Sequence, residues 1–247
     1  MEFQIKEQRL EKVLEIEPEI HVPDGVVSIA PSAFWDRERK TTHIILPASV
    51  QIFEEDKIDS ALSVHNGTVI SLPASVYEKI TEEAAGNYAC PSPYRDSEIR
   101  FDILMDDGTR AELFFIHESD YDDSLDDKMS FWEIGNFAEF DFEDYDDYIE
   151  EELTDRIFKV SQKVRLVLSR LYRPYQLNDD RKEVFEKYIC SHIADTIKYI
   201  LEYDYDDLLC FLMESGIINN KNQKKAKDLI VVSNAPKCRD LWEKSNL

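Results

Sequence analysis

Glycine is scarce in this chain, six residues among 247. No G-x-x-x-x-G-K-S/T, G-x-G-x-x-G or G-x-S-x-G stretch occurs, which removes phosphate-cradling loops and the strained serine elbow from consideration. The four cysteines (Cys90, Cys190, Cys210, Cys238) are far apart, and no C-x-x-C pair exists. The five histidines form no pair at helical spacing, so a zinc centre is not expected. Scattered free thiols suit a reducing cytosol. No apolar run approaches the ~18–20 residues that span a bilayer. The opening Met1-Glu2-Phe3-Gln4-Ile5-Lys6-Glu7 has no apolar stretch of the signal-peptide kind. The expectation is a cytoplasmic protein without a membrane partner.

Positive charge is also short: 29 Lys+Arg face 52 Asp+Glu, a net charge of −23. Residues 118–156 concentrate the excess, with 17 acids and two bases. Such a field repels nucleic-acid phosphates and attracts basic protein surfaces or cations, so direct nucleic-acid binding is not expected.

What the chain does contain is a recurring phrase: His21-Val22-Pro23-Asp24-Gly25-Val26, Leu46-Pro47-Ala48-Ser49-Val50 and Leu72-Pro73-Ala74-Ser75-Val76. Pro23, Pro47 and Pro73 stand at a nearly constant interval, and a phrase returning at such an interval marks stacked repeats. Pro ends a strand or sits at its edge because it cannot donate to a ladder. Val26, Val27, Ile29, Ile44, Ile45, Leu46, Val50, Ile52, Val69, Ile70, Leu72 and Val76 are expected to fill a shared core, with Ala33-Phe34 plugging a turn. Phe3-Gln4-Ile5 and Val13-Leu14-Glu15-Ile16 read as an opening hairpin. Ile99–Leu104 and Ala111–Ile116 flank Asp106-Asp107-Gly108-Thr109, a second hairpin around a turn that needs positive φ, placed to cap the sheet edge.

From Thr154, read as an N-cap, the period becomes helical. Ile157, Val160, Val164, Val167, Leu168 and Leu171 share one face, and Arg173-Pro174 stops the run. Asn178-Asp179-Asp180 opens a helix with Val184, Tyr188 and Ile189 inward, and Ile193, Ile197, Ile200 and Leu201 continue the pattern. Asp206-Asp207 leads Leu208, Leu209, Phe211 and Leu212 to Gly216; Asn219-Asn220 and Pro236 start the last two helices.

The stretch Val22-Pro23-Asp24-Gly25-Val26-Val27-Ser28-Ile29, then Ala33-Phe34, then Ile44-Ile45-Leu46-Pro47-Ala48-Ser49-Val50 resembles the BspA-like leucine-rich repeats, although the cysteine after Ala-Phe is missing and the third unit is degenerate. Phe140-Asp141-Phe142-Glu143, Arg170-Leu171-Tyr172-Arg173-Pro174-Tyr175-Gln176-Leu177 and the Gly216 segment resemble the ankyrin-like helical module that accompanies such repeats in cytoplasmic Firmicutes proteins. The resemblance implies an α+β chain: a short, degenerate leucine-rich-repeat β-solenoid with a capping hairpin (1–117), an acidic-aromatic connector (118–153) and an α-helical repeat module (154–247). It implies no reaction.

The dense ionisable group is the acidic-aromatic segment. Trp132, Asp141, Glu143, Asp144, Tyr145, Asp146, Asp147 and Tyr148 are the candidate partner-binding residues: carboxylates beside aromatics suit a basic, partly apolar protein. Phe140 and Phe142 are equally suited to burial. Two other readings use the same residues. Spaced carboxylates imitate a phosphate track, as in an acidic inhibitor of a nuclease or host defence system of the anti-CRISPR kind. They also supply the ligand type of a metal-dependent hydrolase, although the D-x-D-x-D-G calcium pattern is unmatched. Lys163, Arg165, Arg170 and Arg173, and Lys221, Lys224, Lys225 and Lys227, stand available to pair with the acids. Cys190 and His192, two apart on an apolar helical face, point to different sides and form no nucleophile–base pair. The expectation is a non-enzymatic interaction module with no cofactor or metal.

Overall fold

The computed structural model describes residues 1–30, 33–34, 41–53, 68–77, 98–116, 142–154 and 159–245. It is an α+β chain that divides into two compact units, Met1–Asp141 and Phe142–Leu247.

In the first unit the chain passes alternately into two sheets. One has the order β1 (Phe3–Lys6), β2 (Arg9–Val13), β4 (Ser28–Ile29), β6 (Ile52–Phe53). The other runs β3 (Glu19–His21), β5 (His43–Ile45), β7 (Thr68–Pro73), β8 (Glu98–Leu104), β9 (Arg110–Ile116). Successive strands within a sheet are parallel, except for the β1–β2 and β8–β9 hairpins. The register carries the period of the proline phrases. Ile20 faces Ile44, Ile44 faces Ile70 and Ser28 faces Ile52, each pair one repeat apart. Ile20, Ile44, Ile70, Phe101 and Leu113 thereby form one buried row across the second sheet.

The first two phrases make the same turn, and the second turn is fastened to the first. Val26 N donates to Pro23 O at 3.3 Å and Val50 N to Pro47 O at 3.2 Å, the same turn twice. The first uses Gly25 at φ +88°, where a side chain would be strained. The Ser49 hydroxyl donates to Val26 O at 2.8 Å and accepts from Gly25 N at 3.1 Å, clipping the second turn to the first. Ser49→Ala should lose about 1 kcal/mol of unfolding free energy in denaturant titration.

The structure differs from the sequence expectation in two details of this unit. The first hairpin pairs β1 with residues 9–13, turning through Glu7 and Gln8 at positive φ (50° and 66°), so Leu14 lies outside the pairing and is exposed. Val27, Ile45 and Val69 are only half-buried, because strand alternation gives the core to their neighbours Val26, Ile44, Leu46 and Ile70. Ala33 and Phe34 are buried as expected, and the second hairpin turns through Gly108 at φ +81°.

In the second unit, helix α1 (Phe142–Thr154) is followed by α2 (Val160–Tyr172), α3 (Asp179–Ser191), α4 (Ile193–Glu202), α5 (Asp206–Glu214), α6 (Gln223–Val231) and α7 (Pro236–Lys244). The unit boundary falls inside the segment read as a connector: 117–141 lies outside the described residues, and Phe142–Thr154 is a helix. Thr154 closes that helix rather than capping the next; its hydroxyl donates to Glu151 O at 2.9 Å. Lys159 is the N-cap of α2, and its N–H is taken by the Gln162 side chain at 2.7 Å. Asn178 does cap α3, accepting from Arg181 N at 2.9 Å.

Helices α2, α4 and α6 pack in succession, and α3, α5 and α7 each pack on their partners in that series. The first set begins at Val160, Ile193 and Gln223, again a nearly constant interval. Gly216 ends the turn after α5 at φ +74°, and Pro236 is the first residue of α7. Asp204, itself at φ +54°, caps α7 from the α4–α5 turn, accepting from Lys237 N at 3.2 Å and Cys238 N at 3.0 Å. Val160 and Val184, read as inward, are exposed; Phe185 and Ile189 carry the inner face of α3. Cys190 is likewise exposed, not part of an apolar face.

Candidate functional site

Helix α1 has two faces. Phe142, Tyr145, Asp146 and Ile149, at i, i+3, i+4 and i+7, form a buried stripe. Glu143, Asp147 and Glu151 are exposed and Glu150 is half-buried, so the opposite stripe is acidic.

The buried stripe contains a carboxylate because Arg170 of α2 meets it. Arg170 Nε donates to Asp146 Oδ1 at 2.6 Å and Nη2 to Oδ2 at 3.0 Å, a bidentate pair in which both residues are almost wholly excluded from solvent. The remaining donors of Arg170 reach Tyr175 O at 2.9 Å and Arg173 O at 3.5 Å. Its guanidinium carbon lies 4.8 Å from the Phe142 ring centre, and Tyr175 meets the same ring edge-on at 5.1 Å. One arginine thus fastens α1, α2 and the turn after α2 together.

A second arginine meets the outward stripe. Arg181 of α3 donates to Asp147 Oδ1 and, at 3.1 Å, to Glu143 O, with Glu150 Oε1 3.9 Å from its Nε. Glu143 and Glu151 remain on the exposed side of that contact.

Of the candidate partner-binding residues, Trp132 and Asp141 lie outside the described residues, as do the side chains of Asp144 and Tyr148. Tyr145 and Asp146 are withdrawn from the surface: the helical period turns them inward, where they pack and pair. Phe142 is buried too. Glu143 and Asp147 are exposed. Among the described residues no three His, Cys, Asp or Glu groups are placed to hold a metal ion. Among the same residues no helix is long and apolar enough to cross a membrane. Burial, with Asp204 nearby, pushes the Cys238 thiol far above the ordinary cysteine range, which makes it inert.

A second polar group was not legible in the sequence. On the second sheet, Glu19 Oε1 lies 2.6 Å from His21 Nε2, and Glu19 Oε2 lies 3.2 Å from His43 Nδ1. His43 Nε2 is 2.8 Å from Ser71 Oγ. Ser71 donates to Asp102 Oδ2 at 3.1 Å, an oxygen that also accepts from Arg110 Nη1 at 2.7 Å. The row runs through β3, β5, β7, β8 and β9. Only the spacing of Glu19 and His43, equal to the repeat period, hints at it. The Glu19–His43–Ser71 distances are those of an acid, a base and a nucleophile. Ser71, however, is 4% exposed, sits inside a strand and gives its proton to Asp102, so the row ties strands together.

No protein-family model, curated protein or solved structure matches this chain.

Proposed function

We propose that this chain is a non-enzymatic interaction scaffold that binds a basic protein partner through the outward face of α1. The observation that carries the reading is the division of that helix. Asp146 and Tyr145 are spent on anchoring and Asp147 on Arg181, while Glu143 and Glu151 stay outward on a helix that Arg170 holds in place. A rigid, pre-ordered acidic stripe binds cationic side chains without an ordering cost. The first unit fits a short β-solenoid of leucine-rich-repeat type, supported by the parallel registers at the proline period. The second fits an ankyrin-like helical repeat, supported by the paired packing of α2 through α7. Stacked repeats build binding surfaces more often than pockets.

The nucleic-acid-mimic reading needs an unbroken track of free carboxylates. Asp146 is consumed by Arg170 and Asp147 by Arg181, so the stripe is better matched to a few discrete cations. The test uses full-length protein. Partners recovered from the source cells on the wild type are then titrated against Glu143→Lys/Glu151→Lys. Affinity should fall about tenfold or more at low salt and converge with the wild type at high salt. Unchanged affinity for every recovered partner overturns the reading.

A further inference from the structure

β1 (Phe3–Lys6) pairs with β2 on one side and, among the described residues, has no neighbour on the other. Its backbone phase is fixed at both ends. Leu14 N donates to Glu2 O at 2.9 Å, just past the Phe3–Val13 pair, and the turn through Glu7 and Gln8 joins the closing pair Lys6–Arg9. In an antiparallel ladder, residues that bond to the neighbouring strand alternate with residues that do not. The bulge takes its extra residue, Glu11, from β2, so β1 keeps that alternation. Glu2, Gln4 and Lys6 therefore bond toward β2, while Phe3 and Ile5 turn their N–H and C=O groups to the open edge.

The side chains of Phe3 and Ile5 lie on the face of their cross-strand partners Val13 and Leu10, which are buried. That core side runs out at the edge, where Phe3 is half-buried and Ile5 is 43% exposed. Free backbone groups beside uncovered core-side chains are a template for one more strand.

The strand's own sequence supplies the match. Glu2-Phe3-Gln4-Ile5-Lys6 runs acid, apolar, amide, apolar, base, and is complementary to itself when reversed. Only residues whose backbone groups face the edge bond across it, so odd residues must meet odd residues. Three antiparallel registers set Phe3 or Ile5 against one of the same two. Phe3 opposite Phe3 puts Glu2 against Gln4. Ile5 opposite Ile5 puts Phe3 against Glu7 and Gln4 against Lys6. Phe3 opposite Ile5 makes the apolar pair twice and the Glu2–Lys6 ion pair twice, with Gln4 meeting its own copy on the twofold axis.

We propose that β1 is a homodimerisation edge, joining two copies antiparallel in the register that sets Phe3 against Ile5 and Glu2 against Lys6. Glu2 and Lys6 are both exposed. The pairing uses Glu2–Lys6 of each copy, against about 20–30 residues a side in a standard interface, so the dimer is weak. The net charge of −23 on each copy opposes it further at low salt. The contact lies in the first unit and is independent of the reading of α1.

Sedimentation of the full chain tests it at about 0.15 M salt, where repulsion beyond ~8 Å is screened. Between about 10 μM and about 1 mM the average mass should rise toward that of a dimer. Glu2→Lys and Lys6→Glu each set like charges opposite one another at both ends, and each should weaken association about tenfold. The two changes move net charge in opposite directions, so a shared weakening reports the local pairing. An equimolar mixture of the two variants, or the double variant Glu2→Lys/Lys6→Glu, restores opposite charges at both ends and should regain the association. In the wild type, amide exchange at Phe3 and Ile5 should slow as protein concentration rises, while Gln4 stays constant. A wild type that remains monomeric leaves the edge to a strand of another protein and overturns the proposal. Single variants that associate like the wild type, a mixture that regains nothing, or a dimer with no slowing at Phe3 and Ile5 overturns it as well.

Discussion

Arg170→Met should cost the second unit about 3–5 kcal/mol, measured as the fall in unfolding free energy in denaturant titration. The size follows from what is left behind. Asp146 is 1% exposed, and both its oxygens accept from Arg170. Removing the guanidinium strands a carboxylate in a site closed to water, and it also orphans the carbonyl of Tyr175. The double variant Arg170→Met/Asp146→Leu removes both charges and should recover most of the loss, because a buried ion pair contributes little over an apolar pair of similar volume. A single variant within about 1 kcal/mol of the wild type would mean that Asp146 reaches water. The pair also bears on function. It sets the rotation of α1, so Arg170→Met should weaken partner binding even though it leaves Glu143 and Glu151 untouched. The double variant should restore stability, and with it binding if the rotation is what matters.

The repeat period was legible because it is written in local chemistry. Proline, a turn and an inward valine must recur wherever the chain re-enters its sheet, and Pro23, Pro47 and Pro73 mark that return. The helix boundaries at Arg173-Pro174, Asn178 and Pro236 were legible for the same reason, since caps and breakers act over a short stretch of chain. The division of the acidic segment was not. Asp146 differs from Asp147 only in which side of α1 it occupies, and its partner Arg170 lies on the next helix. Composition made every acid in 141–147 look like surface; helical phase decides which of them is. The polar row on the second sheet was hidden more completely. Glu19, His43, Ser71 and Asp102 come from four strands, and no local pattern links His43 to Ser71. Lys163, Arg165, Arg170 and Arg173 looked alike as a basic row, yet Arg170 alone meets Asp146.

Phe185→Ala should cost about 3–5 kcal/mol, while Val184→Ala should stay within about 0.5 kcal/mol of the wild type. The contrast separates two registers of the same helix. A face of Val184, Tyr188 and Ile189 satisfies the helical period on paper, but it leaves Phe185, the largest apolar side chain of α3, toward solvent. In the fold Phe185 and Ile189 are both fully buried at i and i+4, Val184 is 42% exposed, and Tyr188 is half-buried, stacked on His192 at 4.2 Å. The phase is fixed at both ends. Asn178 caps the first turn, and Arg181, one turn before Phe185, must point at Asp147 and Glu143 of α1. Rotating α3 by one residue to bury Val184 would break the Arg181 contacts and open a ring-sized void against α2. Phe185 is fully buried on a helix that packs on α2, so its loss leaves a cavity that only a shift of whole helices could close. Thermal unfolding of the two variants side by side tests this. Equal losses, or the larger loss at Val184, would place the helix in the other register and detach Arg181 from the acidic stripe.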